Sequence, residues 1–470
     1  MALLIAGFIG AAALHPSVIT WAYAPLCLYA MIGPKQAIKA LSLSYIMILL
    51  NPAFHELPVV TSMLRWVILL VAGLRVLPAI SLRSLRLIVP LLIFSTMTTV
   101  LSWWQSPSFE VSFWKIAGFT FCVATVLVAF NALDRFDLDE LRTWFLTMTA
   151  VVVLLSLPTL AIPKVGFFLN GRGFQGIFLH PQTMGTFLAP TAAYLGACLL
   201  LRSCPQTPIT WGLWGTVMVL MLLTRSRTAL VAFFLSLGVT LVAAFFSSRK
   251  AFLRPAPSRA LVTVVLVAAL LAAGVLASPT VSRAVVGFLL KGEKGDIKQA
   301  FYHSRGGGIS FFWNRFLEAP ITGHGFGIDA AHESLKDTDT FFGIPVRSST
   351  ELGFLPAAFL EQVGVLGLVL FSPFLVSLVK TSRRQVDIGL VATFFACLFV
   401  NIGEAVFFSP GQIGGYLWLL MGLSTASGWE IQTANRSDGS WTGHEQSSGW
   451  NENQCRLRFP PGSEPPLRSI

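Results

Sequence analysis

"VVVLLSLPTLAIPKVGFFLNGRGFQGIFLHPQTMGTFLAPTAAYLGACLLLR", residues 151–202, decides the fold. Two oily runs, each long enough to cross a membrane as a helix, enclose a polar turn. That turn holds Arg172, the glycines Gly171, Gly173 and Gly176, and the pair His180-Pro181, and it has no carboxylate. An arginine between glycines at the mouth of an apolar helix needs a reason.

The same alternation of oily run and short polar connection extends in both directions. Of the 470 residues, 54% are hydrophobic and 12% charged, where a soluble chain carries about 25% charge. Runs of membrane-crossing length are predicted to be helices at roughly 2–14, 17–33, 36–50, 60–78, 86–104, 112–131, 142–162, 183–202, 209–224, 226–247, 260–278, 354–379, 386–404 and 410–427. The first two are either separate or one helix broken at His15-Pro16, and the opening stretch lacks the basic segment of a cleavable signal. The expectation is an all-α polytopic integral membrane protein with about 12–14 transmembrane helices and one large outer loop. The six cysteines are scattered and predict neither a disulfide framework nor a metal site.

The net charge of +11 is read by position, and it points to membrane orientation instead of nucleic acid. One set of connections carries Lys35 and Lys39; Arg75, Arg83 and Arg86; Arg135 and Arg142; Arg202; Arg249, Lys250, Arg254 and Arg259; Lys380, Arg383 and Arg384. The alternate short loops, such as "NPAFHELPVV", "WQSPSFE" and "NIGEAVFFSPG", are poor in bases. The first set is predicted to be cytoplasmic. The chain then divides into helices over 1–162, helices with outer-face arginines over 163–278, an outer loop over 279–353, helices over 354–427, and a tail over 428–470 that reads as disordered and cytoplasmic.

On the outer side, Arg172 is either an interfacial arginine reaching toward headgroups or an anion ligand, since a guanidinium grips phosphate through two bonds. Pro181 opens the next helix and leaves its first amides available to an anion. Arg225 and Arg227 in "TRSRTA" run against the positive-inside bias; they either cap the preceding helix or bind an anion. The large loop holds an amphipathic stretch, "ISFFWNRFLEAP", in which Phe311, Phe312, Phe316 and Leu317 can lie on the membrane. It also holds His303, His332 and, in a glycine turn, His324. Glu351 stands at the lip of a helix, either complementing its dipole or poised as a base, and Glu361 lies deeper in that helix. There is no P-loop, Rossmann fingerprint, zincin motif or nucleophile elbow; the acidic pattern "DTD" at 337–339 reads as solvated. An outer cavity rich in arginine, beside an edge carboxylate, suits a substrate that is half lipid and half polar with an anionic joint, such as a polyprenyl diphosphate.

Four segments in this order, "RGFQGIFLHPQTMGTFLAP", "LLTRSRTALVAF", "RFLEAPITGHGFG" and "STELGFLPAAFLEQVGVLGLVLF", resemble the bacterial O-antigen ligase / O-antigen polymerase family over about residues 170–375. The first 160 residues agree with it only in helix count. The resemblance implies a multi-pass protein of the bacterial inner membrane with its active face periplasmic. It implies a glycosyltransferase that moves an undecaprenyl-diphosphate-linked glycan to a sugar hydroxyl on a glycan or lipid-linked acceptor, without metal or cofactor. Membrane lipids and other polysaccharide-assembly proteins are the implied partners. Arg172 and Arg227 would hold the diphosphate, with Arg225 extra to the pattern; Glu351 would be the base, with His324 second to it. Gln182 stands where the family usually has asparagine, and Glu351 where its ligases have histidine. The first departure is mild; the glutamate favours a polymerase or exopolysaccharide type over transfer to lipid A-core. A flippase for the same lipid, or a scaffold of an export complex, is the alternative reading.

Overall fold

The computed structural model describes residues 1–14, 16–54, 59–169, 171, 173–247, 306–328, 340–341, 344–345 and 353–426. They form helices α1 (Ala2–Leu14), α2 (Pro16–Ile32), α3 (Pro34–Ile48), α4 (Val59–Val76), α5 (Leu82–Gln105), α6 (Phe109–Asn131), α7 (Arg135–Ser156), α8 (Pro163–Gly166), α9 (Pro181–Leu200), α10 (Pro208–Leu223), α11 (Arg227–Ser247), α12 (Gly307–Glu318), α13 (Leu355–Ser382), α14 (Ile388–Phe399) and α15 (Ile413–Ser424). A two-residue hairpin pairs Thr340–Phe341 with Ile344–Pro345. Among the described residues, six segments are long and apolar enough to cross a membrane: Leu82–Gln105, Phe109–Asn131, Arg135–Ala161, Pro181–Leu200, Arg227–Ala244 and Leu355–Ser382. The chain is a helical, multi-pass membrane protein. The expected span at 260–278, most of the loop over 279–353 and the tail over 428–470 lie outside the described residues.

Burial explains why so much oil is needed. Helix α5 buries Leu87, Leu91 and Phe94 inward and leaves Leu85, Val89, Leu92, Ile93 and Val100 exposed. An outward leucine and valine face is stable in lipid and would be costly in water. Trp103 and Trp104, both exposed, finish the helix where an interfacial aromatic pair belongs.

The base-rich connections gather at one end of the bundle. There Lys35 of α3 meets Asp137 and Glu140 of α7, each at 2.7 Å, and Lys39 shares Glu140. Asp137 first, then Glu140, hold the Lys35 ammonium above the ordinary lysine range. Arg142 joins Asp139 and Asp387, and Asp387 caps α14 by accepting from the Gly389 amide at 2.9 Å. Arg75 donates to the carbonyls of Met31 and Ile32, closing the end of α2.

The opposite end carries the candidate site, and two local departures from plain helices shape it. Helices α14 and α15 have 12 residues each, about 18 Å, which is short of the ~30 Å hydrocarbon core. Both start or finish at the base-rich end, where Gln385 donates to the Ala426 carbonyl. Their connection over 403–412 therefore turns round inside the protein. Hydropathy predicts helices to 404 and from 410 with a short outer loop between them; the Phe407-Phe408 pair overrides it. The Phe408 ring sits 4.9 Å from Phe119, 5.0 Å from Phe359, 5.3 Å from Phe326 and 5.4 Å from Phe371. Trp418 donates to the Phe407 carbonyl at 2.8 Å, which satisfies irregular backbone that lipid could not.

The second departure is a break in α13 at Gly364, where φ is 63° and ψ −169°. The glycine turn at 320–327 plugs it. His324 and Gly325 donate backbone amides to the carbonyls of Glu361 and Gln362, each at 3.0 Å, and the amides of Val365 and Leu366 donate to the carbonyls of Pro320 and Ile321 at 2.9 and 3.0 Å. The Gly327 amide reaches Gln362 Oε1 at 2.9 Å. Backbone groups freed by the break thus find partners from one loop. Gly323 must be glycine: its φ is +69°, and a Cβ there would stand 2.4 Å from the Gln362 carbonyl.

Candidate functional site

The polar segment between α7 and α9 is a rigid cradle. Asn51, buried at the end of α3, donates its side-chain amide to the carbonyls of Val165 (2.8 Å) and Gly176 (3.0 Å) and accepts from the Ala53 amide (2.9 Å). The backbones of 49–51 and 177–179 pair: Asn51 donates to Ile177 and Leu179 donates to Leu49, each at 2.8 Å. Gln175, fully buried, accepts from the Leu169 amide and donates to the Phe178 carbonyl. Gly176, at φ +58°, leaves no room for a side chain, because a Cβ would stand 2.5 Å from Ser156 Oγ. Replacing Asn51 with alanine removes the side-chain donor from the buried Gly176 carbonyl and from the half-buried Val165 carbonyl, and the expected loss of stability is about 1–2 kcal/mol. A thermal unfolding midpoint in detergent equal to that of the unchanged protein would contradict it.

The cradle abuts the second arginine motif. Gly173 packs so tightly that a Cβ would stand 2.8 Å from the Thr224 carbonyl and 2.9 Å from Pro181, and the Phe174 amide donates to the Leu223 carbonyl at 3.0 Å. Arg172 itself lies outside the described residues. His180 accepts from the Gln182 amide through Nδ1 at 3.0 Å and so caps α9.

The turn at 224–227 separates its two arginines. Arg225 takes a left-handed φ of 54° and is exposed, while Arg227 is half-buried as the first residue of α11. Ser226 caps that helix by accepting from the Ala229 amide. A cation in the first turn opposes the helix dipole, so an anion at this position would gain from both the guanidinium and the amide end of the helix. Next to it, Thr228 touches Gly403, where a Cβ would stand 2.3 Å from Thr228 Oγ1. The buried connection over 403–412 thereby reaches the arginine turn.

His324 is built into the plug. Its Nε2 lies 2.8 Å from the Arg315 carbonyl and 3.8 Å from Glu318 Oε2. Glu361, 1% exposed, stands 3.9 Å from Arg315 Nε. The structure thus ties His324 and Glu361 to α12 and the break in α13. Helix α12 turns Phe312 and Phe316 inward, with Phe312 packed against Ala357 and Ala358 of α13, so these two rings rest on protein and not on the membrane as expected, while Trp313 and Leu317 stay exposed. Glu351, His303, His332 and the "DTD" stretch lie outside the described residues.

Sequence reading missed two charged residues at this end. Glu404, half-buried, follows Gly403 in the internal connection, where hydropathy predicts a surface loop. Arg65 is 5% exposed within α4, and its lone charge in the run "SMLRWVILL" was the available signal. Among the described residues no group of three or more His, Cys, Asp or Glu is arranged to hold a metal ion. No family model matches the chain, and no curated protein matches it.

Proposed function

We propose that this chain is a glycosyltransferase of the O-antigen ligase / O-antigen polymerase type, acting at the periplasmic face of a bacterial inner membrane on an undecaprenyl-diphosphate-linked glycan. The observation that supports it most is the position of Arg227: half-buried, at the amide end of α11, beside the cradle that carries Gly173. Arg227, with Arg172 next in the chain to Gly173, binds the diphosphate and stabilises the charge it gains on leaving. Glu351 takes the proton of the acceptor hydroxyl. The hydroxyl oxygen forms the new bond to the anomeric carbon, the bond from that carbon to the phosphate oxygen breaks, and the polyprenyl diphosphate departs with the electron pair. The glutamate in place of histidine favours growth of a polymer over transfer to lipid A-core. His324 acts on the site through the α13 break, as a positioning residue.

In a deletion strain complemented at matched membrane expression, Arg172→Ala and Glu351→Gln are each expected to lose polymer or capped glycan and to accumulate lipid-linked units on the periplasmic leaflet. Wild-type glycan from both variants would overturn the transferase reading, and units trapped on the cytoplasmic leaflet would point to a flippase.

A further inference from the structure

We propose a second, buried oxyanion site, separate from the arginine turn, formed by Arg65 of α4 and Tyr23 of α2 beneath Gly411 of the internal connection. Arg65 is the seventh residue of α4, about 9 Å along the helix from its first residue at the site end. It is 5% exposed. Among the described residues it makes no hydrogen bond and no ion pair; its guanidinium faces the Trp66 ring at 5.2 Å. Arginine keeps its charge even here, and an uncompensated cation inside a membrane protein costs several kcal/mol.

Tyr23 supplies the second, independent sign. It is 1% exposed, and its hydroxyl has no hydrogen-bond partner among the described residues. Tyr45, also 1% exposed, sets its hydroxyl 3.5 Å from Cys122 Sγ, and α2, which carries Tyr23, packs along α4, which carries Arg65. The roof is a glycine: a Cβ at Gly411 would stand 3.1 Å from Arg65 Nη2, so it is bare backbone that approaches the guanidinium there. A guanidinium fork and a phenol together offer donors and nearly no acceptor. The matching ligand is a small, oxygen-rich anion, and a phosphate group accepts from such a fork through two bonds. It arrives either on a lipid or as free phosphate.

The test uses the purified full chain in uncharged detergent with two probes, phosphatidylglycerol and inorganic phosphate, and counts retained adducts by native mass spectrometry. A tightly held phosphate-bearing adduct that persists in Arg227→Ala, and so does not sit at the arginine turn, is expected; phosphatidylglycerol retention identifies a lipid-borne source, and retention of inorganic phosphate alone identifies a free one. Arg65→Met is expected to lose the adduct. Tyr23→Phe, which keeps the ring and so the packing, is expected to bind it about 10-fold more weakly. Arg65→Lys, which keeps the charge without the fork, is expected to fold and to bind weakly. No adduct on the wild-type chain with either probe, or wild-type affinity in both Tyr23→Phe and Arg65→Lys, would overturn the proposal.

Discussion

Arg227→Ala is expected to slow glycan transfer by about 10²–10³-fold, the usual consequence of removing one preorganised group that stabilises a leaving charge. Arg225→Ala, two residues away, is expected to slow it by less than about tenfold, because an exposed cation is largely screened. The contrast follows from their placement. Arg225 sits exposed in a left-handed turn position, while Arg227 is half-buried at the start of α11 next to Thr228 and Gly403. Rates measured with purified protein in proteoliposomes, at equal amounts of folded chain, decide it. Equal losses for the two variants would mean that the turn contributes bulk positive potential instead of one positioned ligand.

Gly364→Ala is expected to cost the fold about 3 kcal/mol or more. The residue combines a φ of +63° with a Cβ position 2.3 Å from the Ile321 carbonyl. A methyl group there pushes the 320–327 turn out of the α13 break and strands the backbone groups that the turn satisfies. The measurement is the thermal unfolding midpoint in detergent, with Gly212→Ala as the control. Gly212 lies in α10 with nothing within 4 Å of its Cβ position, and gaining a helix former there should leave the midpoint unchanged or slightly raised. An unchanged midpoint in Gly364→Ala would show that the plug does not hold the break.

Where polarity alternates with oil, the sequence is easily read: runs such as 82–105 and 181–200 declare themselves by length and composition, and the bases gather at one end as their alternation requires. The connection over 403–412 was misread for a physical reason. Hydropathy reports whether a segment avoids water, and it does not distinguish a helix end from an irregular turn walled in by Phe119, Phe326, Phe359 and Phe371. The break at Gly364 was hidden likewise, since a glycine inside an apolar run is tolerated in many helices. Of the candidate residues, Arg227 and Arg225 could be named from their place in a short turn, yet only the backbone shows which is half-buried. Arg65 is masked in hydropathy by the apolar residues on both sides of it in the 18-residue α4.

Purified full-length chain in proteoliposomes receives a polyprenyl-diphosphate-linked glycan and a glycan acceptor, with no nucleotide sugar, and both the products and the leaflet of the donor are recorded. The expected result is a new glycosidic bond with one polyprenyl diphosphate released per transfer, lost in Glu351→Gln and in Arg227→Ala. Donor that crosses between leaflets with no new glycosidic bond would contradict it and make the chain a carrier of that lipid.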